Sequence, residues 1–256
     1  MLTQQDLHAF LRQAGIRPTD TVLVHTSLRA LGPVEGGGDG LIDGFCSYLK
    51  DGLFLVPTHT WHNVNRNQPI FDVRSTPPCI GTLPTLAAFC KDGVRSLHPT
   101  HSLTAFGKRA ESFVQGEENA QTPCPKGGAW ARLYEEDAKI LLIGVGLNRY
   151  TFLHAADEIL DLNRLGDPFS VTIVDGEGQR ITHPFRPHHN TGSENFENYR
   201  APLEALGALR QLPLGNTSVG VCSAKKTVEV LTLLWKNADY NLCEKPREIP
   251  KSYYEA

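Results

Sequence analysis

KILLIGVGLNRYTFLHAADEIL, residues 139–160, reads as a buried strand handed straight to a helix. Residues 139–146 are a short, almost continuous apolar run closed by glycines. That is the pattern of a strand covered on both faces. Residues 151–162 read as the helix that follows, with Thr151 as its N-cap. The same sequence of events occurs upstream. TVLVHTSL (21–28) is a second β-branched run, followed by the glycine-dense GPVEGGGDG and an apolar helix over 41–49. GLFLVPTHT (52–60) is a third strand, stopped by Pro57. An amphipathic helix is expected over 3–14, capped by Thr3 and ended by Gly15. Further helices are expected over 83–90, 201–208 and 224–236, with a hairpin over 170–182 turning at Asp175-Gly176 and a strand over 217–223. Residues 63–78 are polar and rich in proline, a long excursion and a candidate substrate lid.

Strands alternating with helices imply an α/β fold, with a central, largely parallel or mixed sheet flanked by helices and carrying loop insertions. One domain over 1–256 is expected. Ligands in such sheets bind beyond the carboxyl ends of the strands. His25, His59, His98 and His154 fall at strand ends or in loops, and none is expected inside an apolar strand.

Composition narrows the function classes. Of the 256 residues, 40% are hydrophobic and 21% charged, the balance of a folded chain. Lys plus Arg number 25 against 28 Asp plus Glu, a net charge of −3 that argues against a nucleic-acid binder. No apolar run approaches the ~18 residues of a membrane span. The N-terminus lacks the marks of a secretion signal, so a cytoplasmic location is expected. The six cysteines form no CxxC pair and read as free thiols.

Three stretches carry candidate chemistry. In 22–41 a strand ends in His25-Thr26-Ser27 and a glycine-rich loop leads into a helix, an arrangement suited to an anion. It matches neither the P-loop nor GxGxxG, and an ordinary packed loop accounts for it as well. In 144–158 His154 falls in the first turn of a helix, where the positive helix end disfavours its protonation. A neutral imidazole is what a general base requires. Asp157 and Glu158 follow at i+3 and i+4, and either could hold the ring. A solvated acidic face explains the same spacing. In 95–107 His98 and His101 flank Pro99. With the pairs His59/His62 and His188/His189 they keep a metal-dependent hydrolase in contention, though no HExxH or HxH is present. Ser27 and Ser102 lack the GxSxG setting of a nucleophile and read as hydroxyl donors to a ligand.

Taken together, VLVHTSLRALGPVEGG, LVPTHTW, FDVRSTPPCIGTLP, RSLHPTHSLTAFG and KILLIGVG–YTFLHAADE resemble, in order and spacing, the aminoglycoside 3-N-acetyltransferase family. The resemblance extends through SENFENY and LGNTSVGVCSAKKTVEVL and covers nearly the whole chain. It implies the antibiotic N-acetyltransferase fold and transfer of acetyl from acetyl-coenzyme A to an amine, with no metal. The family's coenzyme A loop falls on His25, Thr26, Ser27, Leu28 and Arg29, with Thr58 on the same wall. The RSxHPxxS block falls on Arg95, Ser96, His98, Pro99 and Ser102, beside the thioester. Thr151, Leu153 and His154 match the family's Thr-x-Leu-His. The family has Glu three residues after that histidine, where this chain has Asp157 followed by Glu158, leaving open which carboxylate orients His154. Oxyanion donors are expected from backbone N–H groups at the His25–Ser27 strand end, or from the Thr151 or Ser102 hydroxyl. For a polycationic aminoglycoside, Asp72, Asp157, Glu158, Asp161 and Glu194 are the candidate acceptor carboxylates. Arg66 and the basic or neutral stretch 183–189 suit a less cationic amine.

Overall fold

The computed structural model describes residues 1–162, 164–189, 192–238 and 242–255. Its strands are β1 (Thr21–Thr26), β2 (Leu53–Pro57), β3 (Ile70–Asp72), β4 (Val94–Arg95), β5 (Leu103–Phe106), β6 (Lys139–Ile143), β7 (Phe169–Val174), β8 (Arg180–Phe185), β9 (Leu209–Leu214) and β10 (Thr217–Ser223). Its helices are α1 (Gln4–Gln13), α2 (Leu28–Leu31), α3 (Gly37–Tyr48), α4 (Thr82–Ala88), α5 (Ala110–Val114), α6 (Ala129–Glu135), α7 (Phe152–Ile159), α8 (Arg200–Ala205) and α9 (Ala224–Asn237). No helix among the described residues is long and apolar enough to cross a membrane.

The three apolar runs read first from the sequence lie side by side. Seven strands run in the order β4-β5-β2-β1-β6-β10-β9. β1 pairs in parallel with β2 and with β6, His25 lying opposite Leu142. The outer four pairings are antiparallel. The sheet is therefore mixed, and parallel only at its centre. This agrees with the expected α/β fold with a parallel or mixed central sheet, while β5 and β9 were not among the strands expected.

Burial on both faces explains the unbroken apolar runs. Leu23, Ile140 and Leu142 face a core built with α5 to α9. Val22, Val24, Leu141 and Ile143 face the opposite core, against α1, α3 and α4. Each such side chain taken fully from water contributes roughly 1.5–3 kcal/mol, so neither face can be left open. α1 begins as expected: Thr3 Oγ1 accepts from Asp6 N, and Asp6 Oδ2 accepts from Thr3 N.

Three local readings change. α3 starts at Gly37, four residues before the helix expected from Leu41. A Cβ on Gly40 would lie 2.0 Å from the Glu35 carbonyl oxygen, so that glycine serves close packing at a helix start. Thr151 is itself helical and makes no side-chain cap bond. His25 lies inside β1, contrary to the expectation for the histidines. The excursion over 63–78 is also partly ordered. It contributes β3, which joins β7 and β8 in a second, three-stranded sheet. Val64, Phe71, Val171, Ile173 and Phe185 form its own small core. The β7–β8 turn spans five residues, with Asp175 Oδ1 accepting from Glu177 N and Gln179 N.

Candidate active site

The carboxyl ends of the three central strands open into one cavity of about 930 Å³. β1 contributes His25 and Thr26 and leads on to Ser27, Leu28 and Arg29. β2 ends at Pro57 and leads to His59, and β6 leads to Gly144 and Val145. A Cβ on Gly144 would stand 2.5 Å from Ala30 Cβ, so the turns after β1 and β6 touch only because Gly144 has no side chain. The chain then turns through Asn148 and Arg149 into α7, which brings Thr151 and His154 to the cavity wall. The far wall comes from the smaller sheet and its excursion, with Trp61, Arg66, Phe169 and Phe185.

Histidine dominates the interior. The rings of His59 and His101 are 4.7 Å apart, those of His101 and His188 6.1 Å, and those of His188 and His154 4.9 Å. Burial holds His59, His101 and His154 well below the usual imidazole pKa, with a smaller contribution from the neighbouring imidazoles. His25 is pushed down to about 3 by burial and by Arg149. These rings are uncharged near neutral pH. His25 Nε2 and His59 Nε2 are buried without a hydrogen-bond partner, as is Thr26 Oγ1.

Behind this wall, contacts from Trp130 and His98 set the position of the loop that carries His101. Trp130 is fully buried on α6 and its indole N–H donates to His101 O at 2.8 Å. His98 Nδ1 accepts from Thr100 N and His101 N, so its Nε2 carries the proton and donates to Thr122 O. His98 thus pins the loop that presents His101 and does not itself line the cavity.

The two carboxylates expected at His154 are engaged elsewhere. Asp157 is buried and pairs with Arg164 at 3.1 Å; burial still raises its carboxyl to about 7. Glu158 Oε1 accepts from Cys124 N and from His188 Nε2 at 2.7 Å, while Oε2 accepts from the Thr122 hydroxyl. Helical spacing allowed either to reach His154, but residues three and four on from it point over different neighbours. Neither is bonded to the His154 ring, which packs against Phe196 and His188.

Of the residues assigned to coenzyme A from the sequence, His25, Thr26, Ser27, Leu28, Arg29 and Thr151 line the cavity. Thr58, Arg95, Ser96, His98 and Ser102 do not. Ser102 Oγ donates to Thr58 O and meets Thr58 Oγ1, Ser96 Oγ accepts from Leu103 N, and all three side chains are buried. Arg95 donates to Thr76 O and Thr58 O and lies over the rings of Phe71 and Phe89. These residues join the large sheet to the excursion. The Ser102 hydroxyl and the Ser27 N–H, which donates to Ile143 O, are both committed, leaving the Thr151 hydroxyl among the expected oxyanion donors. The glycines of the loop at 36–40 lie outside the lining.

The expected acceptor carboxylates are not in the lining either. Asp72 pairs with Arg74, Asp161 with Lys126, and Glu194 is exposed. In the segment 183–200, Phe185, Pro187, His188, Ser193 and Phe196 line the cavity. Residues 190 and 191 of that segment lie outside the described residues. His59, His101 and His188 stand out in the sequence as histidine pairs, whose reading as metal ligands hid their role as a wall. Among the described residues no three His, Cys, Asp or Glu side chains are grouped to hold a metal ion. Trp61, Asn148 and Arg149 carried no signal strong enough to single them out.

Comparison with known proteins agrees with this architecture. A family model described as aminoglycoside 3-N-acetyltransferase matches residues 23–235. Aminoglycoside N(3)-acetyltransferase III of Serratia marcescens is 29% identical over 176 residues, 62% of this chain and 65% of that protein. The match thus spans slightly less than two thirds of that relative's length. The aminoglycoside acetyltransferase AAC(3)-IVa apoenzyme superposes with a TM-score of 0.79 at 23% identity, over 99% of this chain and 94% of that one. The binary complex of AAC-IIIb with CoASH gives 0.79 at 22% identity, over 92% and 97%. At these identities the two structures speak for the fold. The family match covers most of the chain, both strand-end turns and the whole of α7, and on that ground this chain belongs to the aminoglycoside 3-N-acetyltransferase family.

Proposed function

We propose that the chain is an N-acetyltransferase, moving acetyl from acetyl-coenzyme A to the nitrogen of an amine, with His154 taking the proton that nitrogen sheds. One observation carries this reading. A buried, uncharged imidazole stands on the wall of a cavity large enough for two substrates, at the carboxyl ends of the parallel strands. Family membership and a relative structure described with CoASH support the choice of acyl donor.

The residues fit such a donor. Arg29 and Arg149 are exposed on the lining and have no acidic partner among the described residues, so both are available to phosphate oxygens. His25, His59 and Thr26 offer buried polar atoms without partners in the same lining. When bound, acetyl-coenzyme A supplies an activated thioester carbonyl. The chain's task is to hold the amine, accept its proton at the His154 ring, and offer a donor such as the Thr151 hydroxyl to the carbonyl oxygen. The thioester C–S bond breaks as the amide C–N bond forms, and coenzyme A leaves as the thiol.

A second reading has its own support. His188 donates through Nε2 to Glu158 and lines the cavity, a carboxylate-supported imidazole on the wall. Two acceptor classes also compete: the 3-amino group of an aminoglycoside, favoured by family membership, and a less cationic amine.

The test is thiol release from acetyl-coenzyme A against a panel of aminoglycosides, amino sugars and anionic amines, with chelator present. Release dependent on an amine and lost in His154→Ala supports the reading. Coenzyme A-independent activity abolished by chelator overturns it in favour of a metal hydrolase.

A further inference from the structure

On the reading that this cavity takes an amine together with acetyl-coenzyme A, we propose that the acceptor is an amine that also bears an anionic group, and that Arg66 selects it. No Asp or Glu is among the described residues that line the cavity, whereas three arginines are: Arg29, Arg66 and Arg149. Arg29 and Arg149 follow β1 and β6 and suffice for the phosphates of the acyl donor. Arg66 belongs to a different structure. It sits in the excursion packed on the three-stranded sheet, over the ring of Phe169 at 5.8 Å, with Nη2 donating to the Asp167 carbonyl oxygen at 3.2 Å. Neither contact neutralises it, and no carboxylate pairs with it among the described residues.

The surrounding acids do not reverse this sign. Asp157 is bound to Arg164 and Glu158 to His188, both behind the wall. Asp72 and Asp161 are paired with Arg74 and Lys126, and Asp167 and Glu194 are exposed outside the lining. An aminoglycoside brings several ammonium groups into a site with uncompensated guanidinium charge, and like charges brought together in a partly desolvated cleft repel strongly. An amine with a phosphate or carboxylate meets the opposite field, and a guanidinium binds either oxyanion in a forked geometry. Trp61 is 45% exposed and lines the same cavity, an aromatic face against which a sugar or other ring can stack.

The experiment is calorimetric binding to the full chain saturated with coenzyme A. The probes are glucosamine 6-phosphate, muramic acid, glucosamine and gentamicin, which separate a phosphate-bearing, a carboxylate-bearing, an acid-free and a polycationic amine. At least one anionic probe is expected to bind about tenfold or more tighter than glucosamine, with gentamicin weakest. Arg66→Glu is expected to abolish that preference and strengthen gentamicin binding, with the coenzyme A Kd within about twofold of wild type. Arg66 is exposed, so the variant should fold, and its melting curve checks this. Gentamicin binding tighter than both anionic probes, no advantage of either anionic probe over glucosamine, or an unchanged preference in Arg66→Glu each overturns the proposal. Selective binding of an anionic amine without thiol release would leave this proposal standing and overturn the acetyl-transfer reading instead.

Discussion

Glu158 accepts a hydrogen bond from His188 at 2.7 Å, and the His188 ring in turn lies 4.9 Å from the ring of His154. A carboxylate one helical turn beyond His154 therefore acts on a histidine thirty residues later in the chain. This contact ties α7 to the segment after β8 and stiffens the wall between them. It also separates two roles that helical spacing had joined: the buried, uncharged imidazole and the carboxylate-supported one.

That separation is testable by kinetics. His154→Ala is expected to lower kcat by roughly 10²–10⁴-fold with little change in the coenzyme A Kd, the usual worth of a positioned base. His188→Ala and Glu158→Gln are expected to cost less and to raise the acceptor KM, because both act on the shape of the wall. Steady-state rates for the three variants decide this. A greater kcat loss in His188→Ala than in His154→Ala transfers the base assignment to His188.

Two arginines that look alike in the sequence should behave in opposite ways. Arg29→Ala, an exposed change, is expected to weaken coenzyme A binding by about tenfold without moving the melting temperature. Arg95→Met strips donors from buried carbonyls between two aromatic rings. It is expected to cost about 1–3 kcal/mol of stability while the coenzyme A Kd stays put. Melting curves and calorimetry on both variants check the pair, and a reversed pattern would return Arg95 to the donor site.

Trp130 supports the histidine wall from behind. Trp130→Phe keeps a ring in the core but removes the donor to His101 O, leaving that carbonyl unpaired and a small void. A loss of about 1–3 kcal/mol in chemical denaturation is expected, with a measurable fall in activity as His101 and His59 shift. Unchanged stability would mean that the carbonyl finds another donor.

The buried histidines also set the response to acid. His25, His59, His98, His101 and His154 all have pKa values lowered by burial, His25 to about 3 and His98 to about 4. Unfolded, they would protonate near 6.5, so their stabilising share is present above that pH and is lost as pH falls below it. Asp157 and Glu117, both raised to about 7 by burial, oppose this, since the folded state gains their protons between about pH 7 and 4. Five histidines stand against two carboxyls over this range, so unfolding is expected to take up protons on balance. Stability should therefore drop steeply from pH 7 to 5. Melting temperatures across that range test it, and a flat profile would show that the histidines protonate in place.

The sequence by itself determined the elements with strong periodicity or strict local chemistry. The runs 22–24, 53–56 and 140–143 are buried on both faces, and so are apolar without interruption. Thr3 announces a helix start because its hydroxyl caps an N–H only three residues on. The turn after β1 that carries Ser27 and the helix carrying His154 were legible for the same reason, as each follows directly from its neighbours in the chain. Tertiary structure decided what depends on pairing across long separations. Only packing turned Glu158 toward His188 and Asp157 toward Arg164, because an i+3 or i+4 carboxylate reaches whatever the next element places over it. Only packing made Arg95, Ser96, His98 and Ser102 a buried joint behind the cavity, and His59, His101 and His188 its wall. The charge on the cavity wall emerged in the same way. A net charge of −3 says nothing about which side chains face a cavity, and here the acids are paired or turned to solvent while Arg29, Arg66 and Arg149 remain on the lining.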